Sequence, residues 1–212
     1  MLKNQRHEEI MELLKAEKFV SVSDLSRRLY ASQPTIRRDL GYLERQGLIR
    51  RSHGGAIPAD DKGNIPVSFR SGTHMAEKLR ICRAAASLVS PGALIFTDAS
   101  TTALHIADCL RGRDGITAVT NSLLACKRFL DNGVRVFSTG GRLLRDSLAF
   151  VGETARTNAG RYNADVMFFS ASSLGEDGMI SDYSDEETEL RLSMAEHTRC
   201  RVFLCDSAKF GS

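Results

Sequence analysis

Seven arginines (Arg27, Arg28, Arg37, Arg38, Arg45, Arg50 and Arg51) fall between positions 27 and 53, against only two acids, Asp39 and Glu44. A guanidinium is a planar fork that grips a phosphate or a guanine edge with two hydrogen bonds, so the chemistry offered is nucleic-acid recognition. The surrounding spacing is that of a helix. Ile36, Leu40 and Leu43 recur at i, i+4, i+7, which puts them on one face and turns Arg38 and Arg45 away from it. Ser32 suits an N-cap, Pro34 a first turn that needs no N–H, and Gly47 a stop. Upstream, Ile10, Leu13 and Leu14 mark a helix from about Gln5 to Glu17, and Val22, Leu25 and Leu29 a shorter one ending before Ser32. Downstream, Leu48 to Ile57 has apolar ends and a Gly54-Gly55 turn signal, as a two-stranded hairpin would. Three helices and a hairpin make a winged helix-turn-helix.

The charge distribution supports this reading. The whole chain of 212 residues carries a net charge of only +3, yet residues 1–56 hold 11 Lys or Arg against 7 Asp or Glu, and residues 57–212 hold 18 against 19. The basic excess belongs to the small N-terminal part, the footprint expected of a groove-binding surface. Between Ile57 and about His74 the chain turns polar and irregular, with Pro58, Asp60-Asp61, Gly63, Pro66 and Gly72, which reads as a linker over 58–74 between domains at 3–57 and 75–212.

The second domain alternates short apolar runs with helical stretches. Ala93–Phe96, Ile116–Val119, Val134–Phe137, Val166–Phe169 and Arg201–Leu204 read as strands, and Glu77–Val89, Thr102–Leu110, Leu123–Leu130 and Glu187–His197 as helices. Such alternation predicts an α/β fold with a mostly parallel sheet. In such sheets ligands bind beyond the carboxyl ends of the strands. The first strand ends in Thr97-Asp98-Ala99-Ser100-Thr101-Thr102, the second in Thr120-Asn121-Ser122, and the third in Ser138-Thr139-Gly140-Gly141. Hydroxyls and free N–H groups gathered there can cradle a phosphate, and Lys209, after the last strand, can add a cationic clamp. Asp98, Ser100, Thr101, Thr102, Thr120, Asn121, Ser122, Gly140, Gly141 and Lys209 are therefore the effector-binding candidates. Any one of these segments is explained equally well by turn and N-cap preferences; the three together with the lysine favour a ligand.

The segment from Arg6 to Ala56, through Ser32, Thr35-Ile36-Arg37-Arg38-Asp39-Leu40 and Arg51-x-His53-Gly54-Gly55-Ala56, resembles the N-terminal domain of the DeoR family of bacterial transcriptional regulators. The remainder is similar to the family's C-terminal domain through Asp98, Thr101-Thr102, Thr120-Asn121-Ser122, Gly140-Gly141, Glu187 and Asp206-x-x-Lys209-Phe210-Gly211, with Arg70 and Glu77-Lys78 in the lead-in. Two positions depart from the pattern: Ala31, usually β-branched, and Ser100, usually Gly. The resemblance implies that the third helix enters the major groove of a double-stranded DNA operator while the wing touches backbone or minor groove. Ser32, Gln33, Thr35, Arg37, Arg38, Arg50, Arg51 and His53 form the DNA-facing set. It further implies a sensor of phosphorylated sugars in a fold similar to ribose-5-phosphate isomerase, a homo-oligomer, and repression of a carbohydrate operon relieved by effector. Family members continue past Lys-Phe-Gly, so the sensor domain reads as cut short at Ser212.

The rival reading is a sugar-phosphate isomerase with a basic N-terminal assembly module. Isomerisation needs a carboxylate base, and where such isomerases carry Asp-Gly-Ala-Asp-Glu this chain has Phe169-Ser-Ala-Ser-Ser-Leu174. The acids at Asp182, Asp185, Glu186 and Glu187 read as a solvated loop entering a helix N-terminus. No catalytic residue, cofactor or metal is expected. The five cysteines (Cys82, Cys109, Cys126, Cys200 and Cys205) form no Cys-x-x-Cys and read as reduced, mostly buried thiols of a cytoplasmic protein. The five histidines lack metal-ligand spacing, and no apolar run is long enough for a membrane.

Overall fold

The computed structural model describes residues 3–52, 54–59, 67–72 and 74–210. The chain divides into two compact units, Met1–Pro66 and Val67–Ser212.

The first unit runs α1 (Lys3–Glu17), β1 (Val20–Ser21), α2 (Val22–Arg28), α3 (Gln33–Arg45), β2 (Ile49–Ser52) and β3 (Gly55–Pro58). Helices α2 and α3 begin where a serine oxygen meets a free N–H: Ser21 Oγ accepts from Asp24 N at 3.0 Å and Ser32 Oγ from Thr35 N at 3.4 Å. Ile10 and Leu14 of α1, Leu25 of α2, and Ile36, Leu40 and Leu43 of α3 close one core over Ile49 of the wing. The sheet has the order β1-β3-β2, all antiparallel, so the expected hairpin gains a third strand. Gly55 makes this possible. A β-carbon there would lie 2.4 Å from the Phe19 ring and 2.5 Å from the Val20 carbonyl oxygen, so only glycine lets β1 lie against the wing.

The second unit opens with α4 (Val67–Gly72) and α5 (Met75–Ala86). Next come β4 (Leu94–Thr97), a 3-10 turn (Ala103–His105) running into α6 (Ile106–Cys109), β5 (Thr117–Thr120), α7 (Leu123–Asp131) and β6 (Arg135–Ser138). A small hairpin of β7 (Arg142–Leu143) and β8 (Phe150–Val151) precedes α8 (Glu153–Ala159) and β9 (Ala164–Phe169). A second hairpin, β10 (Ser173–Leu174) with β11 (Ile180–Ser181), leads to α9 (Asp185–Glu196) and β12 (Thr198–Phe203). The main sheet has the order β12-β9-β4-β5-β6, with every pair parallel. Successive strand residues feed opposite cores. Ile95, Ala118 and Phe168 pack with Cys82, Leu104 and Phe129, whereas Phe96, Val119 and Met167 pack with Ala155, Leu190 and Met194. Burial on both faces explains why these strands read as apolar runs rather than alternating ones.

The expected linker is shorter than 58–74. Residues 67–72 are helical, Val67 is buried, and its N–H donates to the Asp146 carbonyl at 2.8 Å, so this stretch belongs to the second unit. Positions 60–66 lie outside the described residues.

Candidate nucleic-acid interface and anion site

On the first unit, α3 buries Ile36, Asp39, Leu40 and Leu43, leaving Ser32, Gln33, Arg37 and Arg38 exposed and Thr35 half-buried. Beneath the helix Asp39 is 3% exposed and receives Arg6 Nε at 2.6 Å and Arg6 Nη2 at 3.2 Å, while His7 Nε2 lies 3.0 Å away. Burial by itself would push the Asp39 carboxyl up, but the hydrogen bonds from Arg6 and His7 outweigh it and hold the group below the usual carboxylate range. This buried cluster ties α1 to the helix that presents the arginines. On the exposed side Arg37 donates to Gln33 Oε1 at 3.3 Å.

The basic footprint divides on inspection. Arg27 and Arg28 pair with Asp24 and Glu17. Arg51 binds Glu44 twice, through its backbone N–H at 3.0 Å and its Nε at 2.6 Å. Arg38, Arg45 and Arg50 are exposed. His53 lies outside the described residues.

In the second unit, the strand ends expected to gather do so. Thr97 is in register with Thr120, and Thr120 with Ser138, so the polar ends of β4, β5 and β6 share one edge of the sheet. The chain order reverses between β4 and its other neighbour β9, which places the switch point beside Asp98 and Ser170. Thr97, Asp98, Thr101, Thr102, Thr120, Asn121, Ser122, Thr139 and Ser170 are all buried there. The hydroxyl oxygens of Thr97 and Thr102 and Oδ1 of Asn121 have no hydrogen-bond partner among the described residues, an uncommon state for buried polar atoms.

Several candidates hold the scaffold. Asp98 accepts from Ser100 N at 3.0 Å, from Ser170 N at 3.2 Å and from Arg191 Nε at 3.2 Å. Ser100 Oγ caps the 3-10 turn by accepting from Ala103 N, and Ser122 Oγ caps α7 by accepting from Ala125 N. Gly141, at φ +106°, would place a β-carbon 2.5 Å from the Val151 carbonyl oxygen, so glycine there admits the β7–β8 hairpin. Glu187 departs from the solvated reading: it is half-buried, and burial pushes its carboxyl up.

Two lysines complete the edge. Lys209 Nζ donates to Ser170 Oγ and to the Ala171 carbonyl, both at 2.7 Å. Lys78, on α5, is 4% exposed and donates to the Arg70 carbonyl at 2.5 Å and to Thr101 Oγ1 at 3.0 Å. Burial, with the charge of Lys209 next, lowers the Lys78 ammonium to about 8, and burial lowers Lys209 as well. Two desolvated cations near hydroxyls suit an anion. Lys78 was absent from the sequence-derived candidates, along with Ser170 and Arg191. Its only signal was the Glu77-Lys78 match in the lead-in. The thiols offer less: Cys82 is buried and pushed up to about 12, and Cys200 is exposed.

A winged helix followed by a parallel α/β unit with a polar, lysine-flanked strand edge defines a DNA-binding regulator that carries its own sensor. Residues 6–62 match the DeoR-like helix-turn-helix domain and residues 73–212 the DeoR C-terminal sensor domain. The chain belongs to the DeoR family of transcriptional regulators. It is 35% identical over its full length to the HTH-type transcriptional regulator YgbI of Escherichia coli, covering 83% of that protein. It is 31% identical to the glycerol-3-phosphate regulon repressor of the same species, covering 84%, and 33% identical to the regulator GlpR of Haloferax volcanii, covering 83%. Among solved structures, ribose 5-phosphate isomerase of Plasmodium falciparum overlays with a TM-score of 0.48 and 9% identity over 64% of this chain and 52% of that one. Similarity at that level transfers no chemistry. No helix among the described residues is long and apolar enough to cross a membrane.

Proposed function

We propose that this protein represses a carbohydrate-metabolism operon in the cytoplasm and releases its operator when a phosphorylated sugar binds at the carboxyl edge of the β4-β5-β6 strands. The observation that carries the reading is the pair of desolvated lysines, Lys78 and Lys209, on the edge where Thr97, Thr120 and Ser138 are in register. A relative named as repressor of a glycerol-3-phosphate regulon supports the carbohydrate side. The phosphate would take hydrogen bonds from Lys78, Lys209 and the loop N–H groups, and the sugar hydroxyls would meet the unpartnered oxygens of Thr102 and Asn121. Winged helices acting in pairs on a two-fold operator require a homo-oligomer, and ligand need supply only about 1–3 kcal/mol of coupling to switch occupancy.

The test is DNA binding by the purified chain, on a duplex it selects from a randomised pool, with glucose 6-phosphate, fructose 1-phosphate or glycerol 3-phosphate added. One of them should weaken binding roughly 5- to 150-fold while its unphosphorylated counterpart does nothing. Indifference to all phosphorylated sugars would remove the sensor reading and leave DNA binding intact. The isomerase reading is disfavoured because the segment after β9 offers serines, and Asp98 is engaged by Arg191 and two backbone N–H groups. Conversion of any of these sugar phosphates, followed by NMR, would reverse that conclusion.

A further inference from the structure

We infer that Arg51, though part of the arginine footprint, is a positioning residue that fixes the wing against the recognition helix α3 and does not contact DNA. This inference rests on the DNA-binding role and assigns the work within that surface. Strand residues alternate faces, so Arg51 leaves β2 on the same side as Ile49, two positions earlier. Ile49 is 1% exposed and packs in the core with Leu40 and Leu43 of α3. Arg51 therefore starts out toward the helix, and Arg50 leaves by the opposite face. The guanidinium ends on α3 itself. Its Nη1 lies 4.0 Å from where a β-carbon on Gly41 would stand, and its Nε meets Glu44 Oε2 at 2.6 Å. Gly41 and Glu44 are three residues apart, one helical turn, so the arginine lies along the helix surface across a position without a side chain.

Glu44 holds the backbone as well. Its Oε1 accepts the Arg51 N–H at 3.0 Å. One carboxylate thus clamps both the side chain and the main chain of the wing strand at the same point. Burial would raise the Glu44 carboxyl, but the two bonds from Arg51 outweigh it and keep it ionised. An arginine committed in this way to a carboxylate brings little net positive charge to a phosphate. What it brings is a fixed angle between helix and wing, which presets Arg38 on one and Arg50 on the other for the same duplex, so that the same contacts form without the cost of aligning them on binding.

Phosphate contacts and struts separate by salt dependence. Each lost phosphate contact flattens the plot of log affinity against log salt by about one unit, whereas lost positioning lowers the line without changing its slope. The probe is a fluorescein-labelled duplex that the wild-type chain selects from a randomised pool, read by anisotropy between about 50 and 200 mM salt. Arg51→Ala and Glu44→Ala should weaken binding by the same factor, with slopes parallel to wild type, and the double variant should be no weaker than either single one. Amide exchange at Leu40 and Leu43 in each variant establishes that α3 is folded. A slope shallower by about one unit for Arg51→Ala, additive losses, or unimpaired binding by Glu44→Ala would each overturn the inference. Wild-type binding to the same duplex is the control that keeps this outcome distinct from the DNA-binding role itself.

Discussion

The two units handle charge in opposite ways. In the winged helix the working cations stand in water on the outside of α3 and β2, and the buried ionic group, Asp39 with Arg6 and His7, holds the helix from beneath. In the sensor unit the candidate cations are drawn inward, Lys78 buried and Lys209 half-buried, and their surroundings are hydroxyls and backbone groups. The proposed ligands account for the difference. A DNA duplex is a long polyanion whose affinity comes from many solvent-screened contacts, each worth little. A small anion offers few contacts, so each must be strengthened by desolvation.

The largest effect that would sharpen this contrast is expected beneath α3. Asp39→Ala leaves Arg6 and His7 partly buried without their carboxylate and should cost about 3 kcal/mol of first-unit stability, read as faster amide exchange in α1 and α3. The folded Asp39 carboxyl lies below its unfolded value, so its stabilisation is present above about pH 4 and is lost as pH falls through the lower folded value. Asp39→Asn should accordingly flatten the acid limb of first-unit stability. If neither substitution matters, the buried cluster is not what holds the recognition helix.

Next in size, Lys78→Met should lower sugar-phosphate affinity about 10- to 100-fold, measured by calorimetry, while DNA binding without effector stays as in wild type. The ammonium of Lys78 is depressed to about 8, so it is charged below that pH and neutral above it. Effector affinity should therefore decline as pH rises through about 8, and Lys78→Met should abolish that dependence. An affinity that holds steady from pH 7 to about 9.5 would place the anion away from Lys78.

The smallest effect is expected outside, in water. Arg38→Ala should weaken duplex binding only several-fold and reduce the salt slope by about one unit. If Arg38→Ala left the slope unchanged, the exposed side of α3 would not be a phosphate-binding face.

Much of this was legible in the sequence where the signal was local. The face of α3 follows from periodicity, its Ser32 cap from residue preference at a helix start, and the five main strands from short apolar runs. The shared edge of β4, β5 and β6 also followed, since each strand is short and ends in turn residues. Other features left no such trace. β1 is two residues long, too short for alternation to register, and α8 buries Ala155 and Ala159, whose small side chains give little hydrophobic contrast. Lys78 sits on a helix that precedes the first main strand, and only the packing of α5 brings it to Thr101. Arg191 and Asp98 are 93 positions apart. The division of the arginines was hidden for the same reason: composition counts Arg51 with the others, and only geometry shows Glu44 holding it.

Asp98 has a mechanical consequence. One carboxylate oxygen, Oδ2, fastens the exit of β4 to Ser170 after β9 and to Arg191 on α9, and Arg191 reaches on to Asp182 beside the β10–β11 hairpin at 2.8 Å. Hydrogen bonds tolerate only a few tenths of an ångström of stretch before they weaken. A shift of the β4 loop that kept these bonds would carry the helix and hairpin with it, so this carboxylate joins the strand edge to the outer surface of the unit.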